Sequence, residues 1–246
     1  MKYKKLSIII PVYNEEKFIE TVINKVLEAN SLGLKKEIII VDDGSFDQTK
    51  IKIENKIKKL KKRQVKIKVI FKKKNEGKGA AVKNGVLSST SDIVLIQDAD
   101  LEYNPADYPT LLEPILKGQA DVVYGSRFLK SEKTQHNKVV YKHGFLFSRF
   151  LNCLSNILSG VYLTDMYTCY KVFSAEALSR ILPHLKSNRF GIDPELTAWA
   201  AKYHLRIVEV PISYKGRTYQ EGKKINWKDG IAAIWHIIRF NIFTWR

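Results

Sequence analysis

The sequence predicts an α/β fold in which a mostly parallel central sheet carries helices on both faces. Short apolar runs rich in β-branched residues alternate with segments of helical periodicity through the first hundred residues. Each run ends in a polar loop, as the strands of a parallel sheet do when helices connect them. The chain has 246 residues, 45% of them hydrophobic and 27% charged, which is enough to bury the core of such a fold.

The first half of the chain supplies four strands and three helices. Leu6–Val12 is an apolar run that closes with Pro11 and Asn14, and this pattern is typical of a buried strand. Glu15–Ala29 repeats apolar residues at helical spacing, and Gly33 lies just beyond it. The same reasoning predicts strands at Glu37–Val41, Val65–Phe71 and Ile93–Gln97, and helices at Asp47–Lys61 and from Ala80 to Val86.

The second half is less regular. It contains no internal repeat and no linker rich in Pro, Gly or Ser, so we expect one main domain over residues 1–226 and a C-terminal amphipathic helix over 227–246. That helix, predicted over Asp229–Arg246, either lies in a membrane interface or packs on its own domain or a partner subunit. The other expected elements are strands at Ala120–Gly125 and Leu205–Val210, helices at Leu146–Leu158 and Pro194–Lys202, and a mixed segment at Val172–Leu182.

Charge and cysteine content narrow the class of protein. The 42 Lys and Arg exceed the 25 Asp and Glu by 17, and much of the excess lies between Lys50 and Lys74. A solvated helix face explains that run, and attraction to an anionic membrane is the alternative. Nucleic acid is disfavoured because no zinc-ligand spacing or aromatic RNA-binding motif accompanies the charge. Two cysteines and no long apolar window disfavour a secreted or an integral membrane protein.

Acidic and glycine-containing loops follow the predicted strands at one edge of the sheet. Two adjacent carboxylates, Asp42 and Asp43, are more than a helix N-cap needs and indicate a functional site, although capping is the alternative. Asp98 and Asp100 fall on the same side of an extended segment, where two like charges call for a cation; a solvated turn is the alternative. Asn75–Gly79 offers two glycines and a lysine suited to a phosphate or a ribose. Together the loops predict a site for a nucleotide diphosphate and Mg²⁺ or Mn²⁺.

These loops, in this order, resemble the family 2 glycosyltransferases. The C-terminal half is similar to the polyprenyl-phosphate sugar transferases of that family, the dolichyl-phosphate mannosyltransferase type. The resemblance implies a GT-A fold and inverting transfer of a hexose from a nucleotide diphosphate sugar. The segments that carry it are 11–15, 42–45, 75–79, 98–100 and 125–127 in the first half, and Asp165, 168–171, 193–195, 209–212 and 217–225 in the second.

The resemblance also implies a role for each matching residue. Asp98, Asp100 and Glu102 would hold the metal, and Arg217 with Lys223 would close over the diphosphate. Arg127 would bind the acceptor phosphate, and Asp43 would accept an N–H of the base, which does not separate UDP from GDP. Asp98, Asp100, Arg127 and Arg217 are the implied catalytic residues. The implied nucleotide-sugar site comprises Pro11, Tyr13, Asn14, Glu15, Asp42, Asp43, Lys78, Asp98, Ala99, Arg217 and Lys223.

The function predicted on this basis is transfer of a hexose from a GDP- or UDP-sugar to polyprenyl or dolichyl phosphate. The location predicted is the cytoplasmic face of the membrane, with peripheral attachment. A lipid phosphate is largely ionised at neutral pH and needs no general base, which agrees with the absence of a histidine from the motifs. Two alternatives remain: a family 2 enzyme that extends a cell-surface glycan such as lipopolysaccharide or capsule, and a non-enzymatic basic membrane-binding module.

Overall fold

Seven strands form one mixed sheet in the order β3-β2-β1-β4-β6-β5-β7. The computed structural model describes residues 3–60, 65–135, 137, 142–217 and 227–244. The strands β1, β2, β3 and β4 are parallel, and β7 is parallel to β5. The strands are β1 (Lys5–Val12), β2 (Lys35–Asp42), β3 (Lys66–Phe71), β4 (Ile93–Ile96), β5 (Val122–Ser126), β6 (Lys171–Ser174) and β7 (Ile207–Pro211).

Eight α-helices surround the sheet in the described residues. α3 packs on β1 and β2, while α4 packs on β5, β6 and β7. α8 packs on α5 and α7, so the C-terminal helix is fastened to the main body. The helices are α1 (Ile19–Glu28), α2 (Thr49–Leu60), α3 (Lys78–Ser88), α4 (Tyr108–Leu116), α5 (Lys142–Ser159), α6 (Ala175–Ile181), α7 (Ile192–Lys202) and α8 (Trp227–Ile242).

The central strands form the core because both of their faces are covered. Ile8, Ile9 and Ile10 of β1 are fully buried, as are Ile38 and Ile40 of β2. A continuous aliphatic run is what a parallel strand between two helix layers requires. The α/β prediction is confirmed, and the mostly parallel sheet places the carboxyl ends of β1, β2, β3 and β4 along one edge.

Three details differ from the sequence prediction. β6 runs antiparallel between β4 and β5, a pairing that local pattern does not encode. The mixed segment Val172–Leu182 divides into the end of β6, helix α6 and a short 3₁₀ turn, with the Ser174 hydroxyl capping α6. Helix α4 was not predicted, because Pro109 and Pro114 interrupt its pattern; Pro109 lies in the first turn, where proline is tolerated.

The C-terminal helix has one buried face and one exposed face. Ile237 and Phe240 are buried, whereas Ile231 and Trp235 are exposed, as is Phe243 directly after the helix. Within the described part of the chain, no helix combines the length and the apolar character needed to cross a bilayer. The predicted domain division at residue 226 falls in 218–226, outside the described residues, and stays a prediction.

Candidate active site

The loops after β1 and β2 are tied together by their own polar side chains. Asn14, in the left-handed region at φ 50°, receives a hydrogen bond from Phe46 N at 3.0 Å and donates its N–H to Ser45 Oγ at 2.9 Å. Ser45 Oγ also donates to Asp42 Oδ1 at 2.5 Å. Tyr13 lies beside Phe46, with ring centroids 6.1 Å apart. Asp42 and Asn14 therefore shape the loops of the predicted nucleoside side, with Tyr13 partly exposed.

Asp43, directly after β2, is buried, and its carboxylate has several hydrogen-bond donors. Its carboxylate accepts hydrogen bonds from Lys72 Nζ at 2.6 Å and from Gly77 N at 2.6 Å. Lys72 also bridges to Glu76 at 2.6 Å. These contacts join the ends of β2 and β3 to the start of α3. The base-binding role implied for Asp43 remains a prediction, and Lys72, which sequence reasoning missed, is its cationic partner.

The two glycines of 75–79 allow this segment to pack closely against the backbone of residues 187–189. A Cβ on Gly77 would lie 2.4 Å from the Asn188 carbonyl oxygen, and one on Gly79 would lie 2.5 Å from that of Ser187. Gly77 also has φ 106°, which side-chain-bearing residues rarely adopt. The structure places the 187–189 loop against these glycines, and the contact with a phosphate or ribose remains a prediction.

An acidic centre follows β4. Asp98 pairs with Lys78 Nζ at 2.7 Å, and Asp100 pairs with Arg217 Nη2 at 2.9 Å. Burial alone would raise the pKa of Asp98, but the Lys78 ammonium outweighs it and lowers that pKa. Burial, followed by the charges of Asp98 and Glu102, raises the pKa of Asp100 to about 7. The centre therefore carries more negative charge than its two cations offset.

Arg217 is the cation that gathers the carboxylates from two loops. Its guanidinium contacts Asp100 at 2.9 Å, Glu15 at 3.2 Å and Glu102 at 3.4 Å. Glu102 also accepts a hydrogen bond from the Tyr214 hydroxyl at 2.8 Å, a partner that sequence reasoning missed. The segment after β7 is thus attached across the end of β4. Lys223, predicted to act with Arg217, lies outside the described residues.

Arg127 sits at the end of β5 in a bidentate ion pair with Asp165. Its Nε and Nη2 each donate to that carboxylate at 2.6 Å, and Asp165 is fully buried. The guanidinium carbon is also 5.0 Å from the centroid of the Tyr214 ring. This geometry fixes the plane of the guanidinium, while the acceptor-phosphate role implied for it remains a prediction.

A second buried ion pair lies between β6 and α7. Lys171 Nζ is completely buried and contacts Asp193 Oδ1 at 2.5 Å. It also donates to the Thr168 carbonyl. A lysine at the start of a short strand carries no local signal of such a partner, so the sequence does not predict this ion pair.

The donor set fits a divalent cation at Asp98 and Asp100. Both are hard oxygen ligands, and Mg²⁺ is commonly held by one or two carboxylates together with substrate phosphates. Burial first, and then the charges of Asp98 and Glu102, raise the pKa of Asp100, and a bound cation would offset both effects. Within the described residues no cluster of three or more Asp, Glu, His or Cys is arranged as a ready-made metal cage. Glu102 faces Arg217 and Tyr214, so its role as a ligand remains a prediction.

The mixed sheet with helices around it is the GT-A fold of nucleotide-sugar transferases. A model of the family described as glycosyl transferase family 2 matches residues 7–182 of this chain. The chain belongs to glycosyltransferase family 2 and is a hexosyltransferase, as its motifs predict.

Relatives extend the likeness beyond the matched domain. The chain is 30% identical over 250 residues to the UDP-N-acetylglucosamine–dolichyl-phosphate N-acetylglucosaminyltransferase of Methanococcus voltae, covering 97% of this chain and 96% of that protein. It is 34% identical over 227 residues to the dolichol-phosphate mannosyltransferase of Pyrococcus furiosus, covering 89% and 59%. Glucosyl-3-phosphoglycerate synthase of Mycobacterium tuberculosis with Mn²⁺, UDP and glucosyl-3-phosphoglycerate has a TM-score of 0.69 at 18% identity, covering 97% of this chain and 80% of that chain. At this level of identity, the similarity shows a shared fold and nothing further.

Proposed function

We propose that this chain transfers a hexosyl group from a nucleoside diphosphate sugar to the phosphate of a polyprenyl lipid of the dolichyl type. The observation that carries the proposal is the meeting of Asp98, Asp100, Lys78 and Arg217 at one sheet edge. Such a set of opposed charges suits a diphosphate and its cation. The names of the Methanococcus and Pyrococcus relatives support the lipid acceptor.

The donor half of the reaction depends on charge. Asp98 and Asp100 would hold Mg²⁺ or Mn²⁺, which when bound neutralises charge that develops on the departing diphosphate. Arg217 and Lys78 lie beside the same carboxylates and would bind the diphosphate oxygens as it leaves. As an acceptor phosphate oxygen bonds to the anomeric carbon, the bond from that carbon to the diphosphate oxygen breaks and its electron pair leaves with the diphosphate.

The acceptor half needs a cation but no base. Arg127 is our candidate for binding the lipid phosphate, because Asp165 and Tyr214 hold its guanidinium in one plane. A planar guanidinium matches two oxygens of a phosphate. The phosphate is largely ionised at neutral pH, so its oxygen attacks without giving up a proton.

Peripheral membrane attachment is part of the proposal. α5 and α8 pack together and expose large apolar side chains alongside Arg149 and Arg239. An amphipathic helix of this kind lies in the interface plane of a bilayer. The exposed apolar side chains on the two helices are Leu146, Phe147, Phe150, Ile157, Ile231, Trp235 and Ile242, with Phe243 directly after α8.

The decisive experiment offers a panel of UDP- and GDP-sugars with Mn²⁺ and a polyprenyl phosphate in detergent or vesicles. We expect one sugar–lipid product, detected by mass spectrometry, and its loss when Asp100 is changed to Asn. A reaction that uses only oligosaccharide hydroxyls as acceptors would replace the proposal with glycan extension. Binding to vesicles without any sugar transfer would leave the lipid-transferase proposal without support.

A further inference from the structure

Glu195 in α7 is a buried carboxylate that the reaction described above does not use. It is fully buried and accepts hydrogen bonds from Lys186 N and Ser187 N, both at 2.7 Å. Within the described residues no Lys or Arg forms a salt bridge with it. Two short bonds from backbone N–H groups to one carboxylate hold the 186–187 backbone in a single arrangement.

The backbone that Glu195 holds forms one wall of the start of α3. Ala80 N donates to the Asn188 carbonyl at 2.9 Å, and Lys83 Nζ donates to Asn188 Oδ1 at 2.8 Å. The close approach at Gly77 and Gly79 leaves no room for a side chain between the two backbones. Any displacement of the 186–189 loop is therefore transmitted to the first turn of α3.

That first turn carries Lys78, whose ammonium pairs with Asp98. On its other side the turn is held by the hydrogen bond from Gly77 N to Asp43. Lys78 is thus supported from two directions, by a carboxylate at the end of β2 and by the loop that Glu195 anchors. Glu195 of α7 provides the second support although it contacts neither Lys78 nor Asp98.

We propose that Glu195 is a positioning residue, which holds the Lys78 ammonium against Asp98 through the 186–189 loop and the first turn of α3. The inference rests on the proposed function, because Lys78 is assigned there to the diphosphate. Loosening the loop frees Lys78 from the acidic centre and weakens the binding of a nucleoside diphosphate with its metal.

The test uses the full chain with Glu195→Gln, which keeps the shape of the side chain and removes its charge. The matched control is Glu176→Gln, an exposed acid in the first turn of α6. We expect hydrogen exchange at the Ala80 amide to quicken about tenfold in the first variant and to stay unchanged in the control. If Glu195→Gln does not fold, Glu195→Asp, which keeps the charge and withdraws it by one methylene, takes its place.

A double-mutant cycle separates positioning from general stability. Calorimetry gives the Kd for UDP or GDP with Mn²⁺ in the wild type, Glu195→Gln, Lys78→Met and the double variant. We expect Glu195→Gln to raise Kd about tenfold alone and less than about twofold when Lys78 is already absent. Additive effects, or unchanged exchange at Ala80, would overturn the inference.

Failure of the proposed function would look different. If neither nucleotide binds to the wild type, the assignment of the site fails, while the exchange measurement still decides whether Glu195 holds the start of α3. If nucleotide binds but no lipid phosphate accepts sugar, only the acceptor is wrong, and the cycle remains valid.

Discussion

At the scale of single residues, the acidic centre after β4 shows how a residue kept for ligand binding differs from one kept for stability. Asp100 is half-buried, pairs with Arg217 and lies beside the carboxylates of Asp98 and Glu102, which is an unfavourable place for a charge unless a further cation joins it. A residue kept for stability would be better replaced by a neutral one. We therefore propose that Asp100 serves ligand binding.

Changing Asp100 to Asn should lower turnover by about 100-fold or more, since a group that stabilises a developing charge is lost. The fold should remain, because an amide fits the same space and relieves the crowding of carboxylates. Turnover with saturating Mn²⁺ and the thermal midpoint Tm test the two halves of this statement. Glu113→Gln, on the exposed face of α4, is the control and should be fully active. An active Asp100→Asn enzyme would contradict the assignment.

Lys171, in contrast, has a structural role: its buried charge is stabilised by an ion pair with Asp193. Replacing it with Met leaves Asp193 buried and unpaired, and should reduce the free energy of unfolding by about 3–5 kcal/mol. Adding Asp193→Asn removes the remaining charge and should restore part of that loss. Urea denaturation of the single and double variants measures both values. Equal stability of the two would show that the ion pair is not the cause.

Individual site residues were predictable only where a motif names them. The sequence pattern located Asp98, Asp100 and Arg217, and the structure brings them together. Asp165 is the partner of Arg127 and Tyr214 that of Glu102, and neither pairing has a local signature. Such pairs join residues 38 and 112 positions apart, and only the folded chain reveals them.

At the scale of secondary-structure elements, a polar contact between neighbouring strands makes the stability of the fold depend on pH. Glu37 of β2 is buried beside Ser7, and Lys66 and Lys68 of the edge strand β3 reach it at 2.9 and 3.2 Å. Burial alone would raise the pKa of Glu37, but the hydrogen bonds from Lys66, Ser7 and Lys68 lower it to about 2.

A carboxyl whose pKa is lower in the folded than in the unfolded chain stabilises the fold above its unfolded pKa, and the effect is lost as the pH falls towards the folded value. We expect Glu37→Gln to cost about 1–2 kcal/mol of unfolding free energy at pH 6, with the gap closing between about pH 4.5 and 2. Denaturant unfolding at several pH values measures it. Glu28→Gln, an exposed change, should show a smaller and flatter difference; a constant gap for Glu37→Gln would refute the linkage.

Most elements follow from periodicity, and those that do not have identifiable reasons. The aliphatic strands β1 and β2 and the amphipathic α1 are each marked by a run long enough to be read locally. The four-residue β6 is too short for a pattern, and its antiparallel direction depends on the path of the chain before it. Helix α4 is hidden by its prolines, although burial of Leu111, Leu112 and Ile115 holds it on the sheet.

At the scale of the whole molecule, the apolar face formed by α5 and α8 predicts where the protein meets a membrane. Trp235 and Phe243 are 55% and 62% exposed, and their rings lie 6.3 Å apart. Changing both to Ser should reduce partitioning into vesicles containing anionic lipid at least about tenfold, because two aromatic side chains no longer enter the interface. Vesicle sedimentation measures this.

The matched control is Leu87→Ser, since Leu87 is 69% exposed at the end of α3, away from this face. It should leave partitioning unchanged. If the double variant instead binds vesicles normally and loses self-association in ultracentrifugation, the face is an interface between two copies of the chain.

The overall class of the protein was predictable because five loop motifs fall in order on one sheet. The placement of the C-terminal helix was not, since an amphipathic pattern is the same for a helix that rests on lipid and one that rests on protein. The structure shows that α8 has a buried face, with Ile237 and Phe240 packed inside.

The attachment of α8 to α7 has a consequence for how the enzyme would reach its lipid. Lys202, at the end of α7, donates hydrogen bonds to the Phe240 and Thr244 carbonyls, so the C-terminal ends of the two packed helices are tied together. Asp193 and Glu195 occupy the opposite end of α7. Gly191, just before α7, lies against the His236 ring of α8, so both ends of α7 are held beside that helix. If α8 rests among the lipid headgroups, α7 and the 186–189 loop that it anchors stay at a fixed distance from the bilayer surface.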